Sequence, residues 1–263
     1  MNRLLTILPV MLVSVNALAA AERDFSYTQQ SDVLAPGQHE LELWTTWQGG
    51  REDQHFRRLD SRLEIELGIA PQTQAAIYLN HRRTSSNGVS ESEFEGVSFE
   101  LKRRLTDPAS GGPGFALYSE LTVNGGETEI EAKAIGDYHT GAWTLAANLT
   151  AEAEWEDEPN ASGDGATTHE EFGLLATVGI TRQLTDGWSL GLEAENRNPI
   201  SEGTWESSTI WAGPVLHVSN PHLWATLTVL PQIANLGGEA EHGERELSDN
   251  SRLEIRLLLG TSF

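Results

Sequence analysis

The chain has 263 residues, no cysteine, and a formal net charge of -22 from 39 acidic against 17 basic residues. That balance excludes nucleic acid as a partner, because phosphate backbones are held by surplus Lys and Arg, and it excludes electrostatic adsorption to anionic headgroups. Without cysteine there is no disulfide framework, no thiolate metal site and no lipid-anchored cysteine.

In chain order, Arg3 precedes the apolar run LLTILPVMLVSV (4–15) and the small-residue box Ala17-Leu18-Ala19. This pattern predicts a secretory signal peptide over residues 1–19 and an exported mature chain. Residues 20–36, AAERDFSYTQQSDVLAP, show no clear period. They are expected either in the periplasm or folded back into a lumen, where they would lower conductance. Beyond the leader no stretch reaches the roughly 18 to 20 apolar residues of a membrane helix. Period-two patterning escapes that test, because each apolar residue alternates with a polar one.

Such patterning recurs from residue 39 to the end, with helical periodicity nearly absent. HELELWTTW (39–47) sets Leu41, Leu43, Thr45 and Trp47 against Glu40, Glu42, Trp44 and Thr46. FRRLDSRLEIEL (56–67) sets Leu59, Leu63, Ile65 and Leu67 against Arg58, Asp60, Arg62, Glu64 and Glu66. Further strands are predicted at 75–82, 95–105, 115–123, 129–139, 142–155, 171–182, 188–197, 208–218, 222–233 and 251–263. About twelve result, an even number, as in bacterial single-chain barrels. Tight turns (GIAPQT, TGA, LTDG, SNPH) alternate with the polar stretches 82–93, 156–171 and 234–249, which read as long loops; NGGE (124–127) is short for that side.

Between Trp143 and Trp155 one face carries Leu145, Ala147, Leu149, Ala151 and Ala153. Twelve residues at about 3.3 Å and a tilt of about 45° project to roughly 28 Å, near the height of a lipid-facing band. Trp143, Trp155, Trp188 and the terminal Phe263 are therefore expected at the membrane interfaces. A soluble sandwich or lipocalin-like barrel would also alternate, with its apolar face as core. The charge on the other face, the loop asymmetry and the closing LEIRLLLGTSF favour an all-β, transmembrane, antiparallel up-and-down barrel over residues 37–263. Its C-terminal strand resembles the signal read by outer-membrane assembly machinery, and its closure removes the unpaired edge. Outer-membrane lipid and lipopolysaccharide are the expected surroundings.

The opposite parity lines the lumen: Glu40, Glu42, Arg58, Asp60, Arg62, Glu64, Glu66, Glu152, Glu154, Glu193, Glu195, Arg252, Glu254 and Arg256. Ion pairs should interleave there, with surplus carboxylates facing water. A hydrated acidic lumen is a cation-favouring passive channel for a small solute; a filled one is a structural barrel. An enzyme is the third reading. HVSN places His217, Ser219 and Asn220 in a stretch that resembles the H-x-S-N of outer-membrane lipases and lipid A deacylases. It falls at a short turn, and SNP is ordinary turn chemistry. His81 and Ser86 have the wrong spacing for one face, so no catalytic residue is assigned. His139, His169 and His242 adjoin carboxylates without persuasive ligand spacing, and neither a metal nor a cofactor is expected. The 156–171 stretch could bind calcium loosely or bridge to lipopolysaccharide through divalent ions, and a solvated loop is its simpler reading. Asn148 and Asn160 begin glycosylation-type triplets that a bacterial-looking chain would leave unused.

GQHELELW, EIEAKAIGDYHTGAWTLAANLTAE, LGLEAENRN and WAGPVLHVSNPHLWATLTVLPQI follow in an order that resembles the outer-membrane transporters grouped near the phenol meta-pathway proteins. The resemblance implies a barrel of about twelve strands and small-solute uptake, and it assigns no catalytic residue.

Overall fold

A computed structural model describes residues 22–52, 55–159, 166–238 and 244–263. The leader expected at 1–19 lies outside them, as do Asn160 and His242. The strands are β1 (His39–Gly49), β2 (Arg57–Ala70), β3 (Thr73–Ser86), β4 (Val89–Thr106), β5 (Gly114–Val123), β6 (Glu127–Thr140), β7 (Trp143–Pro159), β8 (Ala166–Thr185), β9 (Trp188–Ser201), β10 (Thr204–Trp205), β11 (Ser207–Ser219), β12 (Trp224–Gly238) and β13 (Leu253–Ser262). β10 is a two-residue lead into β11, so the wall has twelve staves. Each stave pairs antiparallel with its chain neighbours. β1 pairs with β13 from Glu40 opposite Ser262 to Gly49 opposite Leu253, which closes the barrel. No α-helix occurs among the described residues; a single 3₁₀ turn, Pro108–Ser110, is capped by Asp107.

The alternation decides which face is which. Leu149 is 68% exposed and Leu192 61%, whereas Glu40, Glu42 and Glu64 are 0% exposed. Large apolar side chains outside and charged ones inside is the reverse of a water-soluble barrel, and it suits an apolar surround. The soluble sandwich is excluded on this ground.

The polar stretches that read as loops differ from expectation. Residues 82–93 form a hairpin whose strands run to Ser86 and resume at Val89. Its turn, Asn87-Gly88, has φ of 50° and 84°, the left-handed pair of a two-residue hairpin. The strands flanking 160–165 likewise extend to Pro159 and from Ala166. At about 3.3 Å per residue the twenty-residue β8 covers roughly 66 Å, far more than a hydrocarbon band needs. Beyond lipid, both faces of a strand meet water. Apolar alternation therefore lapses while the hydrogen-bond ladder continues. The short NGGE break is a tight turn in which Asn124 N–H donates to Glu127 C=O at 2.9 Å.

Candidate functional site: the polar interior

Residues 23–34 of the N-terminal segment lie inside the wall, while Glu22, Ala35 and Pro36 at its ends are exposed. Phe25, Ser26, Tyr27, Thr28, Gln29, Gln30 and Ser31 are all buried. Forming no ladder of its own, the segment takes its hydrogen bonds from inward side chains. The Glu193 carboxylate accepts from the backbone N–H of Tyr27 at 2.7 Å, Thr28 at 2.5 Å and Ser26 at 3.2 Å. Asn148 grips Gln29 twice, accepting from its N–H at 2.6 Å and donating to its C=O at 2.9 Å. Asp137 accepts from Ser31 N–H at 3.1 Å and Gln74 from Leu34 N–H at 3.0 Å. Phe25 packs with Ala146 and Val215. A Cβ on Gly179 would lie 2.4 Å from its ring, so the wall is bare where the ring sits. Arg23 lies 3.8 Å from Glu42 and stacks 4.2 Å from the Trp44 ring. Nothing in the period-two reading singled out Asn148 or Gln74. The available signal was the small inward residues Ala146 and Gly179 on neighbouring strands, which leave room for a foreign side chain.

Past the segment, opposite charges interleave across the staves. Arg197 makes a bidentate pair with Glu254, at 2.7 and 2.8 Å, bonds Glu195 and stacks 4.6 Å from the Trp211 ring. Arg256 lies 3.7 Å from the Tyr27 ring and donates to Thr46 at 2.9 Å and Ser26 C=O at 3.2 Å. Arg58, Asp60, Arg82 and Glu95 form a chain at 2.7, 2.9 and 2.5 Å. Glu95 faces inward at a bulge whose Gly96 has φ 98°, and a Cβ there would lie 2.2 Å from Val123 O. Arg62 pairs with Glu120 at 3.4 Å and Lys133 with Glu131 at 2.8 Å. A cavity of about 370 Å³ runs among these groups, lined in part by Tyr27, Arg62 and Glu129.

Toward the hairpin end the balance changes. A cavity of about 610 Å³ is lined by Glu129, Glu152, Glu154, Glu171, Glu206, Glu246 and Asp249 against a single cation, Arg197, among the described residues. Residues 244–252 fold over its edge. Trp211 Nε1 donates to Ser251 C=O at 3.0 Å, Gln232 Nε2 to Glu246 C=O at 2.7 Å, and Glu52 N–H to Leu247 C=O at 2.9 Å. Glu246 organises this loop by accepting from Ser248 N–H at 2.8 Å and Asn250 N–H at 3.1 Å. Burial opposes its ionisation, but hydrogen bonds from Ser248, Asn250 and Asp249 outweigh it and hold the carboxyl below its ordinary range.

Of the residues expected to line a lumen, Glu40, Glu42, Glu64, Glu66, Glu193, Glu195 and Glu254 are buried on the inner face. Arg58, Asp60, Arg62, Glu152 and Arg256 line the central cavity, and Glu154 the outer one. Arg252 departs from the expectation. It is exposed and precedes β13, beside Gly50, where its C=O accepts the last cross-strand bond, from Gln232 N–H at 2.8 Å. Trp143 and Trp188 are 43% and 53% exposed at the short-turn end, and Phe263, 66% exposed, stacks on His39 at 5.8 Å. Trp155 lies opposite Glu170 near the other end of β7 and is half-buried.

The hydrolase arrangement is not assembled. His217 Nδ1 bonds Thr226 Oγ1 at 2.8 Å and its Nε2 faces Glu22 at 3.4 Å, so both ring nitrogens have partners other than Ser219. Asn220 Oδ1 caps the turn, accepting from His222 and Leu223 N–H at 3.0 and 3.2 Å. His81 bonds Ser92 at 2.9 Å.

Three solved structures share this architecture. The COG4313 outer membrane channel from Pseudomonas putida F1 is 12% identical with a TM-score of 0.60, over 89% of this chain and 98% of that one. The translocator domain of autotransporter NalP from Neisseria meningitidis is 14% identical with a TM-score of 0.55, over 89% and 91%. The NanC porin is 11% identical with a TM-score of 0.50, over 85% and 98%. At such identities the likeness is one of fold, that of outer-membrane barrels, and these neighbours are not enzymes. No curated protein matches the chain. A model of a family of unknown function matches residues 17–263, and the chain accordingly belongs to that family, DUF6662.

Proposed function

We propose that this barrel is an outer-membrane channel for small solutes, favouring cations, with its short-turn end narrowed by residues 22–36. The observation that carries the reading is the acidic outer cavity, with seven carboxylate residues against one arginine among its described lining. Rings of acidic side chains in a hydrated, low-dielectric passage concentrate cations and repel anions. The resemblance to transporters of the phenol meta-pathway type supports uptake of a small solute. The Arg3-to-Ala19 leader supports export, the amphipathic β13 supports recognition by assembly machinery, and Trp143, Trp155 and Trp188 fit anchoring at the lipid and lipopolysaccharide boundary.

One observation favours a second reading. Residues 25–31 are so completely enclosed that a barrel holding them permanently is a non-conducting, structural one. Planar-bilayer conductance of the refolded mature protein, with a heat-shift gel to confirm the barrel, separates the two. The channel gives discrete steps with cation preference, and Glu152→Gln with Glu154→Gln weakens that preference. A folded barrel without steps overturns the channel, and unaltered selectivity in the double variant overturns the acidic cavity as the source of cation preference. The residual hydrolase reading is tested by Ser219→Ala, which abolishes lipid hydrolysis if Ser219 is a nucleophile.

A further inference from the structure

On the inner wall, β1 and β2 set like charges directly opposite one another: Glu40 faces Glu66, and Glu42 faces Glu64. Cross-strand pairs of like charge are unfavourable even on a wet sheet, and these four side chains are at most 5% exposed. Glu100, on β4, joins them. Single oxygens of Glu64, Glu66 and Glu100 lie within 4.8 Å of one another, and so do those of Glu40, Glu42 and Glu66.

Several of these carboxylates are engaged. Trp44 Nε1 donates to Glu42 at 2.7 Å, Trp224 Nε1 to Glu40, and Tyr78 OH to Glu100. Glu64 is different: it is 0% exposed, and no N–H or hydroxyl donor reaches either of its oxygens, which have only the Glu66 carboxyl within hydrogen-bond reach, a contact that needs a shared proton or a cation between them. One Glu42 oxygen also lacks a donor. Among the described residues, the leading positive charges acting on the group are Arg23, from the N-terminal segment, and the buried Lys102. Two cations against five carboxylates leave a deficit of positive charge in a dry wall.

We propose that Glu64, Glu66 and Glu100, flanked by Glu42 and Glu40, form a calcium-type divalent-cation site at the junction of the wall and residues 22–36. Calcium takes six to eight oxygens at about 2.3 to 2.6 Å, so two of its ligand atoms lie no more than about 5 Å apart. The spacing of the three carboxylates satisfies that limit. Glu64 contributes both unengaged oxygens, and an ion among the three neutralises charge that hydrogen bonds leave uncompensated. The adjoining void, bordered by Glu66, Glu100, Lys102 and Arg23, is only about 10 Å³. That is room for about one water-sized sphere. Magnesium, which keeps most of its water, is disfavoured there, and calcium, which accepts an all-protein shell of flexible geometry, is favoured. The ligands come from three positions of two strands that no linear spacing brings together, which is why the sequence suggests no metal.

Terbium provides the probe, because Trp44 and Tyr78 touch the cluster and sensitise its luminescence. In the folded mature protein, terbium luminescence excited through these rings is expected, displaced by calcium and at least tenfold less readily by magnesium. Glu64→Gln is expected to weaken terbium binding at least tenfold while the heat-shift gel shows an intact barrel. Glu66→Gln serves in its place if that variant does not fold. Glu154→Gln, in the separate acidic group with Glu127 and Glu129, is expected to leave the signal in place. No sensitised terbium in the wild type, a signal that survives Glu64→Gln, or a signal lost with Glu154→Gln instead overturns the site. So does an infrared carbonyl band of a protonated carboxyl that persists at saturating calcium and vanishes in Glu64→Gln, since the charge is then removed by a shared proton.

Discussion

Replacing Glu193 by Gln tests whether one carboxylate holds the N-terminal segment in the lumen. Two donors, the N–H groups of Tyr27 and Thr28, converge on Oε1, while Ser26 N–H and the Thr228 hydroxyl, at 2.8 Å, address Oε2. The amide that replaces the carboxylate keeps one acceptor oxygen. Placed toward Tyr27 and Thr28, it turns two charge-assisted bonds into neutral ones, a loss of about 1 kcal/mol each. Its NH₂ then confronts Ser26 N–H, while the Thr228 hydroxyl can rotate to accept. One orphaned buried N–H adds about 1 to 3 kcal/mol. The undocked population should therefore rise by about 3 to 5 kcal/mol, roughly two to three and a half orders of magnitude at 1.4 kcal/mol per tenfold. Amide hydrogen exchange read at residues 26–28, in a protein whose heat-shift behaviour is unchanged, should lose protection by that factor, and single-channel conductance should rise. Wild-type protection at those three amides in the variant would refute the assignment, because the segment would then be held by something other than Glu193.

Three further outcomes follow from the same interior. Gly179→Ala should displace Phe25 from the wall and raise conductance, and Phe25→Ala in the same chain should remove most of the effect of Gly179→Ala, a coupling measurable as a double-mutant cycle. Arg197→Met strands Glu195 and Glu254 as buried unpaired charges, so the denaturant midpoint of unfolding should fall by the equivalent of about 3 to 5 kcal/mol. The Glu246 carboxyl is held below its ordinary value near 4.3, so its anchoring of the loop is fully present above that pH and is lost as pH falls through the lower folded value. Exchange protection of the Ser248 and Asn250 amides should accordingly be flat from neutral pH to about 4.3 and fall only below it.

The barrel was legible because lipid imposes a rule that a single sequence can show. Where a strand crosses the apolar band, its outward residues must be apolar and its inward ones are free to be polar, so Leu43, Leu63 and Ile65 alternate with Glu42, Glu64 and Glu66. Strand ends were legible only within that band. In β4 and β8 the ladder continues into water, where no rule separates the two faces, and 82–93 and 156–171 consequently read as loops. Parity also stops predicting direction where the ladder stops, as at Arg252. The contents of the lumen were hidden for another reason. Residues 22–36 make no ladder and have no period; what fixes them is Glu193, Asn148, Asp137 and Gln74, on four different strands. Each of these looks, in sequence, like any other inward polar residue.

The distribution of charge through the barrel argues that its interior does more than fill space. A structural barrel needs only neutrality, which the chain achieves in its middle: Arg197 with Glu195 and Glu254, Arg62 with Glu120, and Arg58 and Arg82 with Asp60. The same means were open to it at the hairpin end, yet there Glu129 lies opposite Glu154 and Glu127 opposite Glu156. Directly opposed like charges weaken a sheet, and half-exposed side chains around a cavity could be replaced by Ser or Thr without unfilling anything. In the proposed channel, carboxylates held there against local stability act on what enters the cavity. The nearest bound for that action is electrostatic: a cation drawn into the acidic mouth meets a charge-balanced passage next, then Tyr27, Gln29 and Arg23 of the N-terminal segment. On the proposed channel reading, entry is governed by charge and exit by whether residues 22–36 stay docked, which makes Glu193 the group on which conductance should depend most steeply.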